Sequence, residues 1–323
     1  MRLIFTLLLF CCTLTLTAQQ APQYSMYMLN IYRFNPAYAG LDNSLSATGV
    51  FRKQWVDIPG SPTQQNLNVH MPLYILRGGF GIDVENENLG AERNTSATLS
   101  YNYWIPLNKK SLLTMGIGAG VVQKALDGSK LVAPDGIYQG TTFTHNDGNL
   151  PTGMATAIAP TLSAGVYYQS EIFEVGLSAN NLLGTSITYE EIDLTNIILD
   201  RNYFLTFALN LELTSTLTVH PSFFAKSDID QTQMEISTLL RYNDNIFGGA
   251  SFRGYNAESI DAVVLIGGFK LNEKVTLAYS YDLSLSAVNS VTSGSHEILL
   301  NYNLNRPFGA GVPPKIIYNP RFL

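Results

Sequence analysis

The chain has 323 residues, 14% of them charged, 46% apolar and 11% aromatic, with 26 glycines and two cysteines. Soluble domains carry about 25% charged residues, so the deficit points to a second solvent besides water. Aromatic and β-branched content excludes disorder, two cysteines exclude a disulfide-stapled scaffold, and a net charge of −6 gives no electrostatic basis for a nucleic-acid partner.

Residues 1–18 read as a secretory signal peptide. Arg2 precedes the apolar run from Leu3 to Cys12, and Thr17-Ala18 offers a small-residue exit before Gln19. The run is shorter than the roughly 20 apolar residues of a spanning helix. Cys11 and Cys12 both lie inside it, so the mature chain is expected to hold no disulfide and no thiolate chemistry. Bulky Phe10 and Cys11 argue against a lipoprotein reading of Cys12.

From residue 45 onward the chain is a series of runs that alternate apolar and polar residues. Ala97, Leu99, Tyr101, Tyr103 and Ile105 share one face, with Ser96, Thr98, Ser100 and Asn102 opposite. Tyr203, Leu205, Phe207 and Leu209, then Leu277, Tyr279, Tyr281 and Leu283, then Ile298, Leu300 and Tyr302, repeat the pattern. A period of two is that of strands with one apolar and one polar face. The runs are about ten residues long, enough for a tilted strand to cross a bilayer, and tyrosine and phenylalanine sit near the ends of the apolar faces. Fourteen strands are expected, starting near Leu45, Gln64, Gly79, Thr95, Leu112, Pro160, Ile172, Asn202, Leu217, Gln233, Phe247, Ile260, Lys274 and Ser295. Short links, such as Tyr74 to Arg77 and Asn243 to Asn245, alternate with long ones, chiefly 127–159 and 180–200. Outer-membrane barrels have short periplasmic turns, longer outside loops and an even strand number. The reading is an all-β, transmembrane antiparallel β-barrel of about 14 strands spanning 45–304. A secreted protein of two β-sandwiches would need neither the aromatic girdle nor the parity of the links.

No catalytic or metal motif emerges, and no cofactor is implied. His70, His145, His220 and His296 are scattered without the i, i+4 spacing of a helical zinc site. His220 and Ser222 share a strand face, but two polar residues on a lumen face read as lining. Glu190, Glu191 and Asp193 lack the glycine-centred spacing of a calcium loop and read as solvated loop charge.

The flanks carry more information. Residues 19–44 include Tyr24, Met26, Tyr27, Met28, Asn30, Asn35, Pro36, Tyr38 and Gly40, too aromatic and methionine-rich for a free tail in water. This stretch is expected to pack in the lumen, on the periplasmic rim or on a partner, as a plug or docking segment shielding the periplasmic side. Residues 305–323 are proline-rich and end on an aromatic, which suggests a docked, extended periplasmic tail.

Gln23-Tyr24-Ser25, Tyr27-Met28-Leu29-Asn30 and Asn35-Pro36-Ala37-Tyr38-Ala39-Gly40 resemble the opening signature of the PorP/SprF family of Bacteroidota outer-membrane proteins. Arg52-Lys53-Gln54-Trp55-Val56 with Pro59-Gly60-Ser61-Pro62-Thr63 resembles its next block, from which Asp57 and Pro59 depart locally. Gly81-Ile82 with Asn86 and Gly90 resembles the third. The resemblance covers about the first hundred residues. It implies a non-enzymatic barrel of the type IX secretion and gliding apparatus. Some members belong to the core translocation machinery, whereas others help secrete or anchor a large surface adhesin by binding its C-terminal targeting domain, beside other secretion components such as a periplasmic peptidoglycan-associated lipoprotein. The blocks add Arg52, Trp55 and Gly60 as contact candidates. The long outside loop adds Ile137, Tyr138 and Phe143 as aromatic and aliphatic anchors, since specificity usually resides in loops on a rigid scaffold. The competing function is a transport channel for a small or hydrophobic solute. Mostly Ser, Thr, Asn and Gly on the polar faces offer it neither a charged constriction nor an apolar passage.

Overall fold

Alternating side chains leave each strand one face for lipid and one for the interior, and only a closed sheet satisfies every backbone group in a bilayer. The computed structural model has that form and describes residues 21–138, 143–189, 197–256 and 259–306. Fourteen barrel strands follow in order: β1 (Ser46–Lys53), β2 (Thr63–Leu73), β3 (Gly78–Leu89), β4 (Glu92–Asn108), β5 (Ser111–Asp127), β6 (Met154–Ser170) and β7 (Phe173–Asn180). Then come β8 (Asn202–Leu209, resuming at Leu211–Glu212), β9 (Leu217–Ser227), β10 (Thr232–Tyr242), β11 (Ile246–Arg253), β12 (Ala262–Asn272), β13 (Val275–Ser284) and β14 (Ser295–Asn303). Each pairs antiparallel with its sequence neighbours, and β1 closes on β14 from Ser46 opposite Asn303 to Lys53 opposite His296.

The two faces sort as the alternation predicts. Leu67, Ile82, Leu99, Ile117, Leu177, Ile236, Leu265 and Leu300 are exposed outward, while Asn66, Asn68, Ser100, Asn102, Ser237, Ser280 and Asn301 are buried inward. Outward aromatics form two belts, Tyr103, Tyr242 and Tyr302 near the short turns and Tyr203, Phe252 and Tyr279 near the long links. The short turns run 74–77, 109–110, 171–172, 213–216, 243–245 and 273–274. Their side is periplasmic by the rule that outer-membrane barrels keep long loops outside.

Strand length departs from the expectation. β4, β5 and β6 each run 17 residues, not about ten, and β6 begins at Met154, six positions before Pro160. Pro160, expected near the strand start, sits inside β6 opposite Val121. One wall of the barrel therefore rises beyond the rest of the rim.

The signal peptide expected over 1–18, the tail from 307 to 323 and the acidic cluster at Glu190, Glu191 and Asp193 lie outside the described residues.

Candidate functional site: the occupied lumen and the outer mouth

The lumen holds residues 21–44. They climb from Ser44 at the periplasmic rim through three single-turn 3-10 helices, Pro36–Tyr38, Ile31–Arg33 and Tyr27–Leu29, to Ala21 at the outer half. Local chemistry sets the first turn. Pro36 occupies its first position, and the Asn35 Oδ1 accepts from the Ala37 N–H at 2.9 Å. Three-residue turns spend few internal hydrogen bonds, so the backbone must find partners on the wall.

The wall supplies them level by level. At the base, Gly40 N–H donates to His70 Nδ1 at 3.1 Å, and Asn102 Nδ2 and Thr114 Oγ1 donate to the carbonyls of Ala39 and Ala37 at 2.8 and 2.7 Å. Close approach here needs strands without side chains. A Cβ on Gly116 would lie 2.4 Å from the Ala37 nitrogen, and one on Gly79 would lie 2.0 Å from the Ala39 oxygen. Higher up, Asn30 exchanges bonds with Asn66 and Asn68 at 3.1 and 2.8 Å, and the Tyr32 hydroxyl meets Ser100 at 2.6 Å. Tyr27 stacks on Phe224 with centroids 4.8 Å apart, and its hydroxyl reaches Ser222 and Ser237 at 2.9 and 3.0 Å. Phe34 packs against Phe204 and Phe224, so an aromatic cluster sits inside a polar tube.

The outer half of the lumen carries an ion-pair network that the Ser, Thr and Asn content of the strand faces had not led us to expect. Arg52 on β1 binds Asp282 at 2.8 Å and Glu297 at 3.2 Å, and Arg253 on β11 binds Glu235, Asp282 and Asp261 at 2.7, 3.0 and 3.1 Å. Ser25 sits at its centre, fully buried. The two arginines each donate to Ser25 Oγ at 2.8 Å, and the hydroxyl donates to Asp282, also at 2.8 Å. One donor and two acceptor positions exhaust a serine hydroxyl. Glu297 completes the grip by accepting the Ser25 and Met26 backbone N–H groups at 2.7 and 3.1 Å. A second pair-set holds the other flank, where Arg33 binds Glu85 and the Tyr24 hydroxyl donates to the same carboxylate at 2.7 Å. Burial beside Glu85 pushes the Tyr24 phenol well above its usual value, keeping it a neutral donor.

Above this segment lies a cavity of about 520 Å³, lined by Pro22, Arg33, Asp83, Glu87, Lys124, Asp200 and Lys226 among others. Lys226 Nζ donates to the Ala21 carbonyl at 3.0 Å, which ties the outermost described residue to the cavity wall. On the periplasmic side a cleft of about 50 Å³ borders Tyr27, Met28, Ile31 and Tyr38. His220 and Ser222 line it; Ser222 bonds Tyr27, so these two residues sit as lumen wall.

At the mouth, the described residues 181–189 and 197–201 turn inward. Ile187 and Leu199 pack on Ala159 and Val122, and Tyr189 packs on Ala155, covering the lumen face of upper β6. The described residues of the 128–153 link are tied to one another. Tyr138 stacks on Phe143, its oxygen accepts from the Ala133 N–H at 2.6 Å, and its hydroxyl lies 2.8 Å from His145 Nδ1. His145 Nε2 faces the Gly128 carbonyl at 3.1 Å, an acceptor only, so this ring nitrogen is the donor of that bond.

The residues singled out from the sequence thus fall in two places. Tyr24, Met26, Tyr27, Asn30, Asn35, Pro36, Tyr38 and Gly40 are buried in the lumen, Met28 is half-buried there, and Arg52 meets them at Ser25. Trp55 and Gly60 belong to the 54–62 link at the mouth, where Trp55 N–H donates to Ser295 Oγ at 3.1 Å and the Gly60 carbonyl accepts from Gly90. Ile137, Tyr138 and Phe143 belong to the 128–153 link; Ile137 is exposed and bridges to Thr144. Glu235, Arg253, Asp282 and Glu297 were missed. The available signal was their position, since each is a charge at the outer end of a lumen face, and on β11, β13 and β14 that face is otherwise neutral, whereas β10 also carries Arg241.

A closed barrel with an apolar, aromatic-belted outside defines an integral outer-membrane protein. The chain belongs to the PorP/SprF family: the family of the type IX secretion system membrane protein PorP/SprF matches residues 16–302. That family is one of secretion-system membrane proteins, not of enzymes. No curated protein matches the chain. Among solved structures, the CymD monoaromatic hydrocarbon channel is similar over 89% of this chain and 94% of its own, with 13% identity and a TM-score of 0.51. The Ralstonia pickettii toluene transporter TbuX covers 86% of this chain and 92% of its own, at 11% identity and a TM-score of 0.47. Acinetobacter baumannii Omp33 covers 81% and 98%, at 7% identity and a TM-score of 0.44. At these identities only the CymD comparison bears on the chain, and on its fold alone.

Proposed function

We propose that this chain is a non-enzymatic anchoring barrel of type IX secretion, which retains a large secreted surface protein by binding its C-terminal targeting domain at the outer mouth. Residues 19–44 act as a plug that keeps the lumen shut meanwhile. The observation that carries this reading is the occupied lumen, crossed by a segment hydrogen-bonded to the wall at every level from Gly40 to Ala21. A barrel so filled offers partners its rim rather than a bore. Specificity is then the task of the outside links, with Ile137 exposed as an apolar contact and the raised β4–β6 wall beneath it. The short periplasmic turns face the opposite compartment, where other secretion components, including a peptidoglycan-associated lipoprotein, dock. A hydrocarbon route of the sort named for CymD would require a continuous apolar passage, whereas Arg52, Arg253, Asp282 and Glu297 stand across the outer half of this lumen.

The test is a deletion strain whose surface proteins are quantified by mass spectrometry, followed by complementation with a variant in which 134–150 is replaced by a short Gly/Ser linker. Deletion is expected to remove one large surface protein or a small set. The loop variant should fail to restore display while assembling normally, with bilayer conductance unchanged. An unaltered surface proteome would defeat the reading. A large conductance increase with display intact would make the loop a constriction instead.

A further inference from the structure

The wall that rises above the rim ends in an edge. β7 pairs with β6 only from Ala164 opposite Ala179 to Gln169 opposite Glu174. Beyond that point β6 continues to Met154 with β5 as its strand partner on one side. On the other side, the Leu162 carbonyl accepts from Leu182 N–H at 2.9 Å and the Pro160 carbonyl from Thr185 Oγ1 at 3.1 Å. Backbone groups of alternate residues point the same way. The N–H and C=O of Met154, Thr156 and Ile158 therefore face this side, and among the described residues none bonds them there. Pro160 fits the assignment, because its missing N–H falls on the open side and costs the β5 ladder nothing.

Natural edges are blunted by charge, shortness or cover. This one, Met154-Ala155-Thr156-Ala157-Ile158-Ala159, holds no charged residue. Its lumen face is backed by Ile187, Leu199 and Tyr189. Its outward face exposes Met154 at 52% and Ile158 at 69%. The ladder row that ends at Ile158 reads Asn86, Thr95, Gln123, Ile158, so the outward faces it pairs with are polar until β6.

We infer that the Met154–Ala159 edge of β6 is a β-augmentation site that takes one extended strand of the anchored surface protein's C-terminal domain. The site rests on the anchoring function proposed above and specifies how the rim holds its partner. Backbone bonds to Thr156 and Ile158 supply the affinity, and apolar residues at alternate positions of the incoming strand meet Met154 and Ile158. A second copy of this chain does not fit. Two barrels in one membrane related by a two-fold along the normal would cross their tilted edge strands at about 70–90°, too steep for pairing.

The probe is the purified C-terminal domain of the surface protein that the deletion strain loses. The full barrel in detergent is compared with Thr156→Pro, which deletes one edge N–H, and Thr156→Ala, which keeps it. Both variants should retain heat-modifiable migration, since the β5 ladder is untouched. Thr156→Pro should weaken binding at least fivefold and Thr156→Ala should not. Hydrogen exchange on the unaltered barrel gives an answer even if the proline variant fails to assemble: the Thr156 and Ile158 amides should exchange quickly alone and at least tenfold more slowly with the domain bound. Equal binding by both variants, or amides already protected in the free barrel, would overturn the edge site while leaving anchoring intact. If deletion removes no surface protein, the anchoring reading fails first.

Discussion

Replacing Ser25 by alanine isolates the grip on the lumen segment from the stability of the barrel. The substitution removes one hydroxyl that receives bonds from Arg52 and Arg253 and gives one to Asp282, all at 2.8 Å. The barrel keeps its own pairs, because Arg52 still reaches Asp282 and Glu297, and Arg253 still reaches Glu235 and Asp261. What is lost is the side-chain part of the segment's link to them, the Glu297 bonds to the Ser25 and Met26 N–H groups remaining, and Arg253 Nη2 is left facing a methyl group. Bonds to charged groups contribute roughly 1.5–3 kcal/mol each, but water entering from the cavity above recovers part of that, so the net cost to docking is about 2–4 kcal/mol. At about 1.4 kcal/mol per tenfold, local opening becomes roughly 30- to 1000-fold more frequent. Amide exchange at Ser25 and Met26, both held by Glu297, should accelerate by that factor, while amides in β1, β13 and β14 keep their protection. Unchanged exchange at Ser25 and Met26 would refute the claim that this network holds the segment. Equal acceleration across the barrel would show that the network belongs to barrel stability instead.

Gly116→Val places a branched side chain where a Cβ alone would sit 2.4 Å from the Ala37 nitrogen, so the lower segment should be expelled or assembly should fail. Trypsin cleavage at Arg33 in the assembled barrel, read by mass spectrometry, distinguishes the two. Deleting residues 21–43 should raise single-channel conductance in planar bilayers several-fold over the unaltered protein. Unchanged conductance would mean that something other than this segment closes the lumen.

Much of the fold was legible because a bilayer enforces it residue by residue. Tyr279 and Ser280, or Leu300 and Asn301, must face opposite media, and that alternation reads directly from the sequence. The lengths of β4, β5 and β6 were not legible, since above the lipid the outward face no longer has to be apolar. There Glu92, Arg93 and Asn94 open β4, and Met154 to Ala159 open β6, in stretches that read as links. The lumen segment announced that it was buried through Tyr24, Met26 and Tyr27, but not against what. Its partners are single residues spread from Arg52 to Glu297, joined only by barrel closure. Ser25, between Tyr24 and Met26, was legible only as part of a signature block and lies at the centre of the network.

The direction of the enclosed segment also constrains how the molecule comes into being. Its leading end lies at the outer half while Ser44 stays at the periplasmic rim, and the residues that clasp Ser25 include Arg52 from the first strand and Glu297 from the last. Those two strands meet only when the cylinder is sealed. Sealing and clasping are therefore one event in biogenesis: the chain must wrap around its own residues 21–44, and a stalled, unsealed precursor would leave that segment open to digestion from the periplasm.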